Sequence, residues 1–254
     1  MKDTRIIMGM PIEIEILPNV GRSTSYMPKE VLEAAFAYLV SVEEQFSVYK
    51  ERSEISRINR GELALATASD EMKEVFALGE KTKRETHGYF DIRQPSGRID
   101  PSGIVKGWAI QNTAALIRAA EHENYFVNAG GDIAMNGKNA ESEEWSVGIR
   151  NPVNIKEIVK VVYPRGKGIA TSGSYIRGDH IYNPHKPEEK IKDTVSITVI
   201  GPDVLEADRF ATAAFAMGRQ GIAFIEGLPG FEGYAIDAKG IATMTSGFGA
   251  YTSR

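Results

Sequence analysis

Two oxygen-bearing side chains, Asp208 and Thr212, are spaced four residues apart in an alanine-rich stretch that is predicted to be helical. An i, i+4 spacing places both side chains on one helix face. A carboxylate and a hydroxyl on one face of a tightly packed helix suit a hard cation such as Mg²⁺, which prefers oxygen ligands. The alternative, about equally good, is a pair in which Thr212 bonds back to its own helix and Asp208 pairs with an arginine.

A second candidate is the segment from Asp100 to Lys106. A helix is predicted to begin near Ser102 or Gly103, and a helix N-terminus attracts anions through its backbone N–H groups and its positive dipole end. Lysine in the first turn opposes the dipole, so Lys106 is easier to explain if an anion binds beside it. The spacing alone favours a simpler interpretation, in which Asp100 or Ser102 caps the helix and Lys106 is solvated.

Three loop segments also carry reactive groups. The hydroxyl-rich run 171–175 is typical of a turn or of a segment that accepts a phosphate, and His180 could act as an acid or base near neutral pH. A lone loop histidine is more often a surface residue. Asp132 follows Gly130 and Gly131, where an acid could bind a cation or a ribose hydroxyl, but Gly-Gly-Asp by itself is more often a turn or bulge.

Alternating and helical hydrophobic patterns predict the elements that position these groups. Strands are predicted over 10–17, 88–92, 125–128, 145–149, 158–163, 169–172, 196–200, 233–236 and 241–245. Helices are predicted over 28–46, 69–86, 102–120, 204–217 and 220–226, whereas 53–59 is polar and turn-prone. Without repeats or a proline-rich linker, this order favours one α+β domain over residues 1–254.

The composition is that of an ordinary globular protein, with 254 residues of which 42% are hydrophobic and 25% are charged. A net charge of −4 gives no indication of nucleic-acid binding. The chain has no cysteine, which excludes disulfides, thiolate metal sites and cysteine nucleophiles. Charges near the N-terminus and the lack of a span of roughly 20 apolar residues lead us to expect a cytoplasmic protein with no signal peptide and no membrane anchor.

Taken in order, these segments resemble the family of ApbE-like FAD:protein FMN transferases. The matching segments are Met8-Gly9, 47–49 with 53–59 (S-x-Y…S-E-I-S-x-I-N), 88–91 (G-x-F-D), 99–108, 128–133 (N-x-G-G-D-I), 171–175, 180–184 and 207–212. Each piece is weak alone, but eight pieces in order over about residues 8 to 218 are specific.

The resemblance implies a single ApbE-like domain with a mixed, largely antiparallel sheet and packed helices. It also implies a Mg²⁺-dependent enzyme, with Mn²⁺ as an alternative cation. The enzyme would split the pyrophosphate of its substrate FAD and place FMN on a threonine of an acceptor flavoprotein, releasing AMP.

The resemblance assigns roles to residues of this chain. Asp208, Thr212 and a backbone carbonyl near Gly103 would hold the metal, and His180, Asp208 and Lys106 would be catalytic. Cofactor contacts would come from Met8, Tyr49, Tyr89, Phe90, Asp91, Asp100, Lys106 and Tyr182. The glycines of the Gly-Gly-Asp segment would allow close packing beside the flavin, and Asp132 would secure the turn rather than bind the metal.

The chain departs from the family pattern in two places. The segment between Asp91 and Asp100 is short, and Asn183 stands where the family has an acid in its H-x-[IL]-D-P-x-T-G loop. Two other functions share most of the same residues: a Mg²⁺-dependent FAD pyrophosphatase, and a flavin-binding protein without turnover. A dehydrogenase is disfavoured because no G-x-G-x-x-G follows a strand.

Overall fold

The computed structural model describes residues 1–18, 27–174 and 181–253. The strands within these ranges are β1 (Lys2–Ile7), β2 (Met10–Ile16), β3 (Tyr125–Ala129), β4 (Asp132–Asn136), β5 (Val147–Arg150), β6 (Ile158–Val162), β7 (Gly168–Gly173), β8 (Thr194–Gly201), β9 (Glu232–Asp237) and β10 (Ala242–Met244). The α-helices are α1 (Pro28–Phe46), α2 (Glu54–Asn59), α3 (Asp70–Glu85), α4 (Ser102–Ala119), α5 (Val204–Ala216) and α6 (Gly221–Glu226). Short 3₁₀ helices cover Leu65–Thr67, Gly218–Gln220 and Phe248–Tyr251.

Eight of the described strands form one sheet in the order β1-β2-β3-β4-β7-β8-β9-β10. Every described pairing in this sheet is antiparallel. The turn between β3 and β4 consists of Gly130 and Gly131, both at positive φ (62° and 105°). Two positive φ values in succession match the right-handed twist of the flanking strands and favour glycine over other residues. The predicted turn at the paired glycines is therefore confirmed.

Three helices cover one face of the sheet in the same order as the strands. α1 contacts β1 and β2, α4 contacts β3 and β4, and α5 contacts β7 and β8. The alternating Ile12, Ile14 and Ile16 of β2 are fully buried against this helical layer. Helix α5 lies close to the sheet because the side chains that face it are small. Two of them, Ala207 and Ala211, are fully buried in this contact. This close packing sets the position of the polar residues of α5.

The opposite face carries a separate hydrophobic cluster. Strands β5 and β6 form a two-stranded sheet, and Val147, Ile149 and Val162 of this hairpin are buried together with Ile169 and Ile200 of the main sheet. Neighbouring residues of β7 and β8 pack into the helical layer instead, as the two-residue period of a strand requires. The sheet is thus covered on both faces, and one of its ends is left accessible between the two layers.

The α+β fold class and the largely antiparallel sheet are confirmed, and most predicted elements lie within a few residues of their observed bounds. Two segments were predicted wrongly, and the strands β1 and β4 were not predicted. Residues 88–92 do not form a strand, and 54–59 is the short helix α2. Treating 1–254 as one domain stays a prediction. No helix in the described part of the chain is long and apolar enough to cross a membrane.

Candidate active site

A cavity of about 870 Å³ opens at one end of the sheet, between the N-terminus of α4, the Gly130–Gly131 turn and the β5–β6 hairpin. This volume is within the usual range for small-molecule and cofactor sites. Most of the residues predicted from the sequence line it: Tyr89, Phe90, Asp91, Asp100, Gly103, Lys106, Tyr182, Asp208 and Thr212. Positions that are far apart in the sequence therefore converge on one cleft.

The charged centre of this cleft consists of Lys106, Asp132 and Asp208, which we call the ionic cluster. The Lys106 ammonium forms an ion pair with Oδ2 of Asp132 and lies 3.4 Å from Oδ1 of Asp208. The two carboxylate side chains are 1% and 2% exposed, whereas the lysine is 22% exposed. Lys106 is thus neither solvated nor in the first turn of α4, so the simpler sequence interpretation is wrong on this point.

Asp208 is held by a close approach of two helices. Its Oδ2 accepts a hydrogen bond of 2.9 Å from the backbone N–H of Gly107 on α4. A Cβ at position 107 would lie 2.8 Å from the Cβ of Asp208 and 3.1 Å from the Cα of Leu205, so only glycine allows this packing. The carboxylate can bond to the α4 backbone because the side chain at position 107 is absent.

Burial is the main cause that raises the pKa of Asp208 to about 8; Lys106 opposes this rise, and the nearby Asp132 adds to it. The free protein therefore favours a protonated Asp208 near neutral pH. A divalent cation beside this carboxylate would replace the proton and compensate the buried negative charge.

Thr212 lies one helical turn beyond Asp208 and faces the same cleft, as predicted. Its hydroxyl is 3.3 Å from that of Ser172 on β7, and its Cγ2 lies 3.6 Å from where a Cβ of Gly103 would stand. Asp208 pairs with a lysine rather than an arginine, so the alternative interpretation of this helix face is wrong in that respect.

The donors at this position are a carboxylate, two hydroxyls and nearby backbone, and they suit a hard cation that keeps some of its water ligands. Among the described residues, no group of three or more His, Cys, Asp or Glu side chains could form a metal site by itself. The donor set therefore fits Mg²⁺ held partly by the protein and partly by the phosphate oxygens of a ligand. It does not fit a fully protein-bound metal.

The start of α4 is fixed at the rim of the cleft. Pro101 occupies the N-cap position, so neither Asp100 nor Ser102 is the N-cap; Asp100 instead accepts a 3.1 Å hydrogen bond from the N–H of Ser102, the first residue of the helix. The preceding residue, Ile99, is anchored by Asn59, whose side-chain amide makes two 2.8 Å hydrogen bonds to the Ile99 backbone. Asn59 closes the S-E-I-S-x-I-N motif, and this contact shows what that residue contributes to the site.

An aromatic wall forms another part of the cavity lining. Tyr89, Phe90 and Tyr182 line the cavity, and Tyr89 contacts the ring of His185 edge-on with centroids 4.6 Å apart. The hydroxyl of Tyr182 is buried and receives no hydrogen bond from the described residues. Burial raises the pKa of Tyr182, and nearby Asp91 and Asp100 raise it further. The phenol is therefore a neutral donor available to a ligand.

Two predicted residues, Met8 and Tyr49, are not part of this lining. Met8 is in the turn between β1 and β2 at a φ of 54°, its N–H donates to Glu43, and the cavity is lined by its neighbours Gly9 and Met10. Tyr49 is 90% exposed and is not part of the cavity wall. His180 lies outside the described residues. Roles for these three residues stay predictions.

Two cleft residues were given other roles or none by the sequence. Asp132 was expected to secure the glycine turn, but Asn128 does so by accepting the N–H of Gly131 at 2.9 Å. Asp132 instead begins β4 and joins the ionic cluster. Gln94, in the short segment between Asp91 and Asp100, lines the cavity beside Asp100. Of these two residues, only Asp132 could have been recognised from the sequence, because it follows two glycines and is the one charged residue of β4.

The fold and the cleft together define an α+β protein whose cavity brings together a helix N-terminus, a lysine between two buried carboxylates and aromatic side chains. The ApbE family model matches residues 8–94 and 93–235, which is most of the chain. The chain belongs to the ApbE family.

Named relatives agree with this assignment. The chain is 30% identical over 168 residues to an FAD:protein FMN transferase of Vibrio cholerae, covering 63% of this chain and 49% of the relative. A protein of the same name from Salmonella typhimurium is 31% identical over 146 residues, covering 54% and 42%. The alignments thus span about half the length of these curated relatives.

Solved structures show the same fold. The flavin transferase ApbE from Vibrio cholerae superposes with a TM-score of 0.85 at 22% identity, covering 99% of this chain and 98% of that one. An ApbE protein from Thermotoga maritima gives a TM-score of 0.85 at 20% identity, covering 100% and 99%. The architecture therefore extends over nearly the whole chain, well beyond the aligned sequence.

Proposed function

We propose that this protein is a Mg²⁺-dependent FAD:protein FMN transferase. It would cleave the pyrophosphate of FAD, attach FMN to a threonine of an acceptor flavoprotein and release AMP. The observation that carries the proposal is the convergence of Lys106, Asp208 and Thr212 at the N-terminus of α4, in a cleft with an aromatic wall. Relatives named for this activity support it.

The pyrophosphate would bind at the start of α4. Ser102 and Gly103 line the cavity there, next to the Lys106 ammonium. A helix N-terminus and a partly buried lysine both attract phosphate oxygens, and a cleft that excludes water strengthens that attraction. Lys106 would stabilise the negative charge that develops on the bridging oxygen, which is the dominant kind of catalysis in phosphoryl transfer.

Asp208, Thr212 and the backbone near Gly103 would hold Mg²⁺, with Mn²⁺ as an alternative. When bound, the cation would neutralise phosphate charge and orient the pyrophosphate for attack. Ser172, whose hydroxyl meets that of Thr212, would keep the Thr212 side chain turned toward the cleft. Asp208 stays in place because the Gly107 N–H holds its other oxygen.

The flavin ring or the adenine would lie against the aromatic wall. Tyr89 and Phe90 provide apolar surface, and the hydroxyl of Tyr182, which has no hydrogen-bond partner among the described residues, provides a donor. Asp91, held by an ion pair of 2.5 Å with Lys83, and Asp100 are acceptors on the same side. Met8 and Tyr49 would contact the cofactor only where it extends beyond the cavity.

In the transfer step, the threonine hydroxyl oxygen would form a bond to the phosphorus on the FMN side of FAD. The bond from that phosphorus to the bridging oxygen would break, and AMP would leave with the bridging oxygen. The hydroxyl proton would pass to a base, for which we propose His180. The acceptor is thus a flavoprotein with an accessible threonine, and we propose that both proteins act in the cytoplasm.

A second candidate is the FAD pyrophosphatase, in which water takes the place of the threonine. The family has an acid where this chain has Asn183, and this difference favours the second candidate. The loop 181–187 lies beside the cleft. Within it, the side chain of Asn183 accepts the N–H of His185 at 2.9 Å. The loop is further fastened by a 2.9 Å hydrogen bond between His185 and the carbonyl of His87. The negative charge that the family has at this position is therefore absent from the loop.

The deciding experiment is co-expression of this protein with soluble flavoprotein domains, followed by mass spectrometry for covalent FMN on threonine. Transfer predicts a flavinylated threonine that needs FAD and Mg²⁺, together with slow AMP release when no acceptor is present. Rapid AMP and FMN release without acceptor would identify the pyrophosphatase instead. Tight FAD binding with no AMP release under either condition would identify a flavin-binding protein.

A further inference from the structure

Asp132 is a buried carboxylate in the ionic cluster for which the proposed reaction has no role. We propose that Asp132 is a positioning residue: it holds the Lys106 ammonium away from Asp208, so that Asp208 keeps an oxygen for the divalent cation. The proposal rests on the cation site of the proposed function. It adds a residue to that site and explains the presence of an acid at the end of the Gly-Gly-Asp segment.

The position of Asp132 is fixed from two directions. Its Oδ1 accepts the backbone N–H of Thr171 on β7 at 3.0 Å, and its Oδ2 forms the ion pair with Lys106. That second oxygen receives no well-directed hydrogen bond from the described residues; the ammonium lies beside it, and the Asp132 carboxylate also interacts with the neighbouring Asp208. The carboxylate is therefore a fixed point on the sheet, aimed at the lysine.

The lysine lies between two acids at unequal distances. Its ammonium is closer to Asp132 Oδ2 than to Asp208 Oδ1, from which it is 3.4 Å away. The other oxygen of Asp208 is occupied by the N–H of Gly107. Oδ1 is thus the oxygen that a cation would use, and it is also the one that Lys106 would cover if nothing held the lysine back.

Coulomb attraction makes this competition strong, because both carboxylates are almost completely buried. In such surroundings a partly buried ammonium stays close to the nearest anion. Without a charge at position 132, Lys106 would pair fully with Asp208, and a cation would have to displace it. With Asp132 in place, the lysine keeps a counter-ion and can still face the phosphates.

The test is the affinity for Mn²⁺ alone, measured without FAD from the electron paramagnetic resonance signal of the free ion. Four proteins are compared: the wild type, Asp132→Asn, Lys106→Gln and the double variant. The asparagine keeps an oxygen that can accept the Thr171 N–H, so the single variant is expected to fold. Circular dichroism on heating verifies this.

We expect Asp132→Asn to weaken Mn²⁺ binding by roughly tenfold when Lys106 is present, and by no more than about twofold in the Lys106→Gln background. Lys106→Gln alone should bind Mn²⁺ at least as tightly as the wild type. This non-additivity is the signature of a residue that acts through the lysine. A merely structural carboxylate would change the thermal midpoint without this pattern.

Asp203→Asn is the matched control, an acid-to-amide change at the N-cap of α5. Asp203 accepts the N–H of Glu206 at 2.9 Å, and asparagine caps a helix as well as aspartate does. Mn²⁺ affinity should stay unchanged in this variant.

Three outcomes would overturn the proposal: equal weakening by Asp132→Asn in both backgrounds, no weakening in either background, or no Mn²⁺ binding by the wild type. If the four proteins show the expected Mn²⁺ affinities but the wild type neither releases AMP nor transfers FMN, the proposed function is rejected and the role of Asp132 is kept.

Discussion

Asp208 and Arg209 are adjacent on α5 and both are buried, but the charged groups around them are arranged in opposite ways. Arg209 pairs with Glu85 on α3 and with Glu206 one turn earlier on α5, an arrangement that we call the arginine brace. The ionic cluster and the arginine brace each contain one cation and two acids. In the brace the cation is 2% exposed and the acids are 38% and 23% exposed, whereas in the ionic cluster the acids are the buried members.

Because both clusters contain one cation and two acids, the number of charged groups does not distinguish a ligand site from a structural ion pair. What distinguishes them is whether the acids or the cation are buried. The acids of the arginine brace stay partly exposed to solvent, so this contact needs no further cation, and it fastens α5 to α3. The acids of the ionic cluster lose their hydration, and Asp208 borders the cavity, so ionisation of both acids leaves one negative charge in excess that a cation can compensate. One helix thus carries an anchor and a ligand site on neighbouring residues, about 100° apart around its axis.

The largest expected effect comes from removing the charge of Asp208. Asp208→Asn should lower Mg²⁺-dependent AMP release by at least about a thousandfold, because the main protein anion at the cation is lost. AMP is measured by chromatography with FAD and Mg²⁺ present. Glu206→Gln, an acid-to-amide change in the brace, is the control and should remain within about threefold of the wild type. Unchanged AMP release in Asp208→Asn would show that the cluster is structural like the brace.

The reverse test removes the cation of the brace. Arg209→Met should lower the free energy of unfolding by about 2–4 kcal/mol, because it deletes a buried hydrogen-bonded side chain that joins α5 to α3. The two glutamates can rehydrate, so kcat per folded molecule should change by less than about threefold. Urea unfolding and AMP release measure the two quantities. A loss of activity without a loss of stability would contradict the distinction between anchor and site.

A third variant tests the close contact that holds Asp208. Gly107→Ala places a methyl group against Asp208 and the α5 backbone, so it should cost about 1–3 kcal/mol of stability and also reduce AMP release. Gly249→Ala is the control, because a Cβ there meets no atom within 4 Å. Full activity of Gly107→Ala would mean that α4 and α5 can separate without disturbing the site.

The smallest effect is a pH dependence of stability in metal-free protein. Burial raises the pKa of Asp208 in the folded state, whereas the unfolded chain ionises this group near pH 4. Between these values unfolding releases a proton, so the free energy of unfolding should fall as pH rises, by at most about 1.4 kcal/mol per pH unit. Urea unfolding with a chelator between about pH 5 and about pH 7 measures the slope. A slope as steep in Asp208→Asn would assign it to other groups.

Local signals in the sequence were sufficient for most elements. Pro28 at the start of α1 and the cap at Ser69, which accepts the N–H of Met72 at 3.1 Å, both lie where the sequence placed them. The predicted strand at 88–92 failed although Phe90 and Ile92 are both buried with two-residue spacing. The N–H of Phe90 bonds to the Thr86 hydroxyl at 3.2 Å instead of to a neighbouring strand. The burial of the side chains alternates there as in a strand, but the backbone forms no ladder of hydrogen bonds with a neighbouring strand. A sequence pattern cannot distinguish such a segment from a true strand.

For the candidate site, the sequence by itself determined the side chains and their local spacing. The shared helix face of Asp208 and Thr212 follows from helix geometry, which depends only on nearby residues. Tertiary structure decided which charges meet. Lys106, Asp132 and Asp208 come from two helices and a strand, and their burial depends on how α4 and α5 pack on the sheet. Because hydration of a charge is lost only when distant segments enclose it, the role of Asp132 could be inferred only from the folded chain.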